Sequence, residues 1–105
     1  MRYIIVDLEA TCWQSVRDRQ RMEIIEIGAV ELHAASEPYT RDFSCFVRPV
    51  VEPTLSDFCL QLTSIRQKQV DFAATFREVF PAFLNWIGAD PFVLCLRSVA
   101  VSCGL

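Results

Sequence analysis

The sequence predicts an α/β domain: three antiparallel strands, then helices, then a fourth strand parallel to the first. Three observations carry that prediction. Residues 3–48 hold three β-rich, largely apolar stretches joined by short polar connections. Residues 72–87 place apolar side chains at helical spacing. Residues 91–96, Pro-Phe-Val-Leu-Cys-Leu, then return to a strand pattern. A strand reached through helices lies parallel to its neighbour by a right-handed crossover.

The first strand is Tyr3 to Val6, running into Asp7 and Glu9. Side chains alternate across a strand, so Asp7 and Glu9 share one face. Burying an unpaired carboxylate costs several kcal/mol, and a like charge beside it raises the cost. An open strand end, a basic partner or a bound cation would each relieve it, and hard carboxylate oxygens suit magnesium or manganese. After Thr11 a polar connection, residues 14–20, contains Arg17-Asp18-Arg19; it reads as a solvated loop, or as one that brings Arg17, Arg19 or Arg21 toward a phosphate backbone.

The second strand covers Glu23 to Leu32, with Glu26 set among isoleucines. Gly28 inside it predicts a bulge or a close backbone approach. Ser36, Glu37 and Pro38 mark a turn. The third strand, Asp42 to Arg48, alternates Phe43, Cys45 and Val47 against Ser44, Phe46 and Arg48. Pro49 and Pro53 end the sheet run. A short helix follows over Leu55 to Leu62, with Thr54 or Ser56 as N-cap, and another over Ser64 to Gln69. Asp71 is placed to cap the longest helix, whose face holds Phe72, Phe76, Val79, Phe80, Phe83, Leu84 and Ile87. Pro81 predicts a kink or break in it, and Gly88 its end.

Length and composition narrow the class. At 105 residues the chain is one domain at most, and 52% hydrophobic with 22% charged residues makes it globular rather than disordered. A net charge of −3 gives no overall pull toward nucleic acid. No apolar run approaches the ~18–20 residues a membrane helix needs, and the N-terminus has no signal-peptide pattern. The five cysteines are odd in number, widely spaced and form no C-x-x-C pair. That favours reduced thiols and a cytoplasmic location, with Cys45 and Cys95 as small core residues.

Several motifs, in order, resemble one family. Val-Asp-Leu-Glu-Ala-Thr-Cys-Trp at 6–13 is similar to the first motif of the DEDDh (DnaQ-like) 3′-5′ exonucleases, and Glu-Ile-Ile-Glu-Ile-Gly-Ala-Val at 23–30 to the strand that accompanies it. Phe-Val-Arg-Pro at 46–49, Leu-Ser-Asp-Phe-Cys at 55–59 and Leu-Thr-Ser-Ile at 62–65 resemble the Eri-type exoribonucleases and bacterial KapD-like relatives. The resemblance implies an RNase H-like mixed sheet with flanking helices. It implies a phosphodiesterase acting on the 3′ ends of RNA or single-stranded DNA. Two divalent ions, Mg2+ or Mn2+, would sit about 3.5–4 Å apart among four carboxylates, with a histidine as general base. By the same resemblance Asp7 and Glu9 are catalytic metal ligands. Ala10, Thr11, Cys12 and Trp13 then lie against the terminal nucleotide, and Thr63 and Ile65 fall near its base, where a helix-end and a core role are equally open.

The resemblance covers about residues 3–96 and then stops. A Ser-Trp-Gly-x-Tyr-Asp stretch with the third carboxylate is expected after the fourth strand, but residues 96–105 read Leu-Arg-Ser-Val-Ala-Val-Ser-Cys-Gly-Leu. No acidic residue follows Asp90, and the only histidine, His33, ends the second strand as a surface residue. The expected organisation is therefore the front of an exonuclease domain over 1–96 and an unrelated tail over 97–105, left by a frameshift, a truncation or a fragment. Such a chain is expected to be inactive alone and weakly stable. The other readings are a non-catalytic nucleic-acid or protein binding module and a non-functional truncated product.

Overall fold

The computed structural model describes residues 1–14, 21–33 and 40–97. The elements run β1 (Arg2–Ala10), β2 (Ile24–Leu32), β3 (Arg41–Phe46), α1 (Asp57–Thr63), α2 (Gln67–Asp71), α3 (Phe76–Ile87) and β4 (Phe92–Arg97). They form one four-stranded sheet in the order β3-β2-β1-β4. β1 pairs antiparallel with β2 and parallel with β4, and β2 pairs antiparallel with β3. This is the predicted mixed sheet. The expected loop at Arg17-Asp18-Arg19, the turn at 36–38 and nearly all of the tail lie outside the described residues.

Register decides which side chains are covered. Val6 stands opposite Ala29 and Leu8 opposite Ile27, and Ile27 and Ala29 stand opposite Cys45 and Phe43. With Ile4, these residues make one apolar face, packed by Val79, Phe83 and Ile87 of α3. Phe43 meets the Phe83 and Trp86 rings at 5.2 and 5.8 Å between centroids. Ile4 and Ile25 are fully buried, and burial of such a side chain contributes about 1.5–3 kcal/mol. A second core gathers Cys12, Ile25, Leu55, Cys59, Ile65 and Val70, so α1 and α2 close over the end of β1.

A buried carboxylate ties the other end of the sheet. Glu31 is 5% exposed. Its oxygens accept from Arg41 of β3 at 2.9 and 3.2 Å and from Arg2 of β1 at 2.7 Å. Thr40 and His33 add longer contacts. Arg2 also donates to the carbonyls of Ile87 and Asp90, which anchors the C-terminal end of α3 to β1. The Arg41 and Arg2 guanidinium groups hold the Glu31 carboxyl far below the usual carboxylate range.

Several expectations are corrected. The longest helix begins at Phe76 with Thr75 as N-cap, rather than after Asp71. Asp71 instead ends α2, and Phe72 is 88% exposed. The reason is the backbone between them: Arg48 N donates to Ala74 O and Arg48 Nε to Ala73 O, which holds 73–74 beside Arg48 and out of a helix. Helix α3 runs through Pro81 unbroken. Pro81 and Arg77 are both exposed, so water can reach the Arg77 carbonyl that loses its helical donor. The register shift falls at Glu9/Ala10, not at Gly28. A side chain at Gly28 would meet only the Asp7 carbonyl oxygen, at an ordinary 3.7 Å. Cys95 is exposed, not core, because all of β4 is exposed. Of the two N-cap candidates the sequence offered for α1, Ser56 is the one used, accepting from Cys59 N at 3.0 Å. Gly88 ends α3 with φ of 82°, a left-handed conformation that suits glycine.

Glu31→Gln is expected to lower stability by roughly 2–3 kcal/mol at neutral pH, less than a fully buried pair because Arg41 is partly solvated. The Glu31 pKa is lower folded than unfolded, so its contribution is present above the ordinary value of 4.5 and is lost as pH falls below it. Unfolding midpoints of both proteins, followed from neutral pH to about pH 3, should therefore converge on the acid side.

Candidate active site

The C-terminal half of β1 is where the sheet turns from apolar to acidic. Asp7 and Glu9 project from the face opposite α3, as their spacing requires. Gly28 stands opposite Asp7 and Glu26 opposite Glu9. The three carboxylates therefore share one face. Gly28 contributes no side chain there, so the space beside Asp7 stays open. A shallow depression of about 330 Å³ lies against Asp7, bounded by Ile5, Gly28, Val30, Asp42 and Arg97. A larger cavity of about 610 Å³ lies apart from this face, among Met22, Ile24, Arg48, Val50 and Phe76.

Electrostatics follow from that arrangement. Burial, then the Asp7 charge, then the Glu26 charge push the Glu9 carboxyl above its ordinary value. Burial and Asp7 do the same to Glu26. Like charges directly opposite on a sheet destabilise it, and here no lysine or arginine bonds to Glu9 or Glu26 among the described residues. Among the described residues, Arg97 neighbours Asp7 in register and approaches its Oδ2 at 3.8 Å. Both side chains are more than half exposed, so this pair contributes little.

Hard, mutually repelling oxygen donors fit a divalent cation in kind. Asp7 and Glu9 are the two that would hold it. Among the described residues, no group of three or more His, Cys, Asp or Glu side chains is close enough together to complete a metal site. In the sequence Glu26 is only a glutamate among the isoleucines of another strand; the β1–β2 register is what brings it opposite Glu9.

The segment after the carboxylates is held rigidly. Ala10, Thr11 and Cys12 are buried and Trp13 is half-buried. Thr11 N donates to Glu23 O at 2.8 Å, and Thr11 Oγ1 accepts from Glu23 N at 2.9 Å. Ser56 Oγ donates to Cys12 O at 2.6 Å, so the cap of α1 also fixes this strand end. Of the four residues the resemblance places against a nucleotide, Trp13 has the most accessible side chain. Thr63 closes α1, donating to Cys59 O and accepting from Ile65 N, and Ile65 is buried in the second core. These are the helix-end and core roles that the sequence left open.

Two features beside Trp13 were not foreseen. The Glu23 carboxylate accepts the backbone N–H groups of Val50, Val51 and Glu52 at 2.8, 2.8 and 3.2 Å, which fixes the course of that loop. Arg21 lies over the Trp13 ring, 4.5 Å from its centroid, and bonds Glu52 Oε1 at 2.6 Å. A glutamate before an isoleucine-rich strand gives no signal of loop capture. His33, by contrast, is exposed and bonded to Glu31, at the end of β2 remote from Glu26.

The chain is similar to nucleases in sequence and in structure. A family model described as Exonuclease matches residues 4–104. ERI1 exoribonuclease 2 of Homo sapiens is 37% identical over 84 residues, covering 80% of this chain and 12% of that protein. The 3′-5′ exoribonuclease 1 of Homo sapiens is 40% identical over 83 residues, covering 79% of this chain and 24% of that protein. Among solved structures, the nuclease domain of 3′hExo, a DEDDh family member, bound to rAMP superposes with a TM-score of 0.85 at 33% identity, covering 94% of this chain and 52% of that one. The structure of 3′-end specific recognition of the histone mRNA stem-loop by 3′-exonuclease gives a TM-score of 0.84 at 32% identity, covering 94% of this chain and 36% of that one. The chain thus spans about half of the solved nuclease domain and a quarter or less of these two curated relatives. With its mixed sheet and β1 carboxylates in the matched region, the chain belongs to the exonuclease family whose DEDDh members include the 3′-5′ exoribonucleases.

Proposed function

We propose that this chain forms the metal- and strand-binding front of a 3′-5′ exonuclease centre acting on nucleic acid 3′ ends, RNA in preference to single-stranded DNA. The observation that carries this reading is the pairing of Asp7 and Glu9 on one open sheet face, with Gly28 leaving space beside Asp7. The RNA preference is supported by the similar structures, one bound to rAMP and one of a 3′-exonuclease recognising the histone mRNA stem-loop.

In this reading Asp7, the exposed carboxylate, meets the cation from solvent. Glu9, partly desolvated and repelled by its neighbours, gains most from that charge. When bound, Mg2+ or Mn2+ supplies Lewis-acid activation of water and stabilises the leaving oxygen. The residues that follow do the positioning. The backbone of 10–13, fixed by Glu23 and Ser56, presents a preformed edge to the terminal nucleotide, and the Trp13 ring gives an aromatic surface for an unpaired base. Thr63 and Ile65 shape this edge from behind.

Proton transfer from water is the step with no side chain assigned to it. The chain holds one histidine, His33, which is engaged by Glu31, and no carboxylate after Asp90. The 105-residue chain is therefore expected to bind 3′ ends but cleave them poorly, since a missing general base costs about 10²–10⁴-fold in rate. A second reading, a binding module without catalysis, is favoured by Arg97, which sets a guanidinium near Asp7 where a phosphate could meet it.

A 3′-end degradation assay on labelled single-stranded RNA with magnesium or manganese is expected to show little cleavage, with Asp7→Ala lowering whatever remains. Robust Asp7-dependent cleavage would mean that a second copy completes the site. Thermal unfolding gives an independent check on the carboxylates. Manganese should raise the midpoint of the parent chain and leave that of Asp7→Ala unmoved. Glu26→Gln should stabilise the cation-free protein by about 0.2–1 kcal/mol, by removing a like charge opposite Glu9.

A further inference from the structure

Arg21 stands over Trp13, four residues beyond Glu9 in the chain, and its side chain has no part in the reading above. Its geometry is well defined. The guanidinium carbon lies 4.5 Å from the indole centroid, within the range of a cation–π contact. One nitrogen, Nη2, bonds Glu52 Oε1 at 2.6 Å. The second Glu52 oxygen, Oε2, has no hydrogen-bond partner among the described residues. Among the described residues the ion pair therefore uses one oxygen of the carboxylate and one nitrogen of the guanidinium, which carries five N–H donors. Both partners are about two-fifths exposed, so solvent screens their attraction.

Glu52 does not wander to find Arg21. Its backbone N–H is held by Glu23, whose own backbone is bonded to Thr11 two residues before Trp13. Indole, guanidinium and carboxylate are thus mounted on one hydrogen-bonded unit at the end of β1. A guanidinium held over an aromatic ring is pre-positioned for a phosphate, which it can grip through two parallel N–H donors. The neighbouring face is acidic, so a polyanionic strand crossing it needs a fixed cation.

We propose that Arg21 is the phosphodiester receptor for an unpaired strand at this site, held ready on Trp13 and released to the strand from Glu52. This rests on the proposed binding of nucleic acid 3′ ends. Glu52 acts as a competing anion: its bond to Arg21 is exchanged for the phosphate, with no covalent step. Trp13 keeps the guanidinium in place before and after the exchange.

The test measures binding of a labelled single-stranded oligoadenylate with a free 3′ end, in calcium, over a range of salt. The parent chain is compared with Arg21→Ala, Glu52→Gln and the double variant, each checked for an unchanged unfolding midpoint. Arg21→Ala is expected to weaken binding and to reduce the slope of log affinity against log salt by about 0.7, the loss of one single-strand phosphate contact. Glu52→Gln is expected to tighten binding several-fold, and that gain should vanish in the Arg21→Ala background. Unchanged affinity and slope in Arg21→Ala, with the parent binding, would overturn this assignment alone. A Glu52→Gln gain that survives without Arg21 would overturn the exchange, since it would report only the removal of a negative charge. A parent chain that does not bind the strand would overturn the nucleic-acid reading itself.

Discussion

The carboxylate of Glu31 is the interaction on which the described sheet depends. It sits on the covered face at one end of β2, where an isolated charge would be costly. Arg2 from β1 and Arg41 from β3 converge on it, and Arg2 reaches on to the last turn of α3. Three strands and a helix end are thereby fixed relative to one buried group. The arrangement also sets the phase of β1. With Ile4, Val6 and Leu8 turned toward α3, Asp7 and Glu9 must face the other way. A slip of one residue would bury the carboxylates and expose the core.

The sheet therefore has two acidic places with opposite fates. At the start of β1, Glu31 is matched by two guanidinium groups and its negative charge is strongly favoured. At the end of β1, Asp7, Glu9 and Glu26 share one face; Asp7 has only the exposed Arg97 at 3.8 Å, Glu9 and Glu26 have no basic partner among the described residues, and both of their carboxyls are pushed up. The same side-chain chemistry is tightly ion-paired in one place and held against like charges in the other, and the difference is the supply of cations from the protein itself. Unsatisfied charge retained at an open sheet face is a feature of sites that take their counter-ion from outside. The segment that follows is correspondingly stiff: Thr11, Cys12 and Ser56 use backbone bonds to fix an edge whose accessible side chain is Trp13.

Much of this was legible in the residues. Alternation located the strands, and a single crossover argument gave the parallel pairing of β4 with β1. Errors arose where one part of the chain acted on a distant part. The apolar spacing from Phe72 onward continued the helical pattern, yet Arg48, far away in sequence, took the carbonyls of Ala73 and Ala74 and delayed the helix to Phe76. Pro81 was tolerated because its side of the helix faces water. Cys95 looked like core because its strand is apolar, whereas burial depends on what packs against a strand. Gly28 was read as a bulge or a close backbone approach, and it proved instead to be an absence of side chain beside Asp7.

By itself the sequence determined the element types, the sheet class and the shared face of Asp7 and Glu9. Those follow from local spacing, since side-chain direction in a strand or helix repeats with a fixed period. Its motifs also pointed to the exonuclease family that the matches bear out. Tertiary structure alone decided that Glu26 opposes Glu9, that Glu31 is the buried hub, and that Arg21 rests on Trp13 under the hold of Glu52. Each of these is a meeting of side chains far apart in the chain, set by strand register and loop course. Carboxylates and guanidinium groups carry no mark in sequence of which partner they will find.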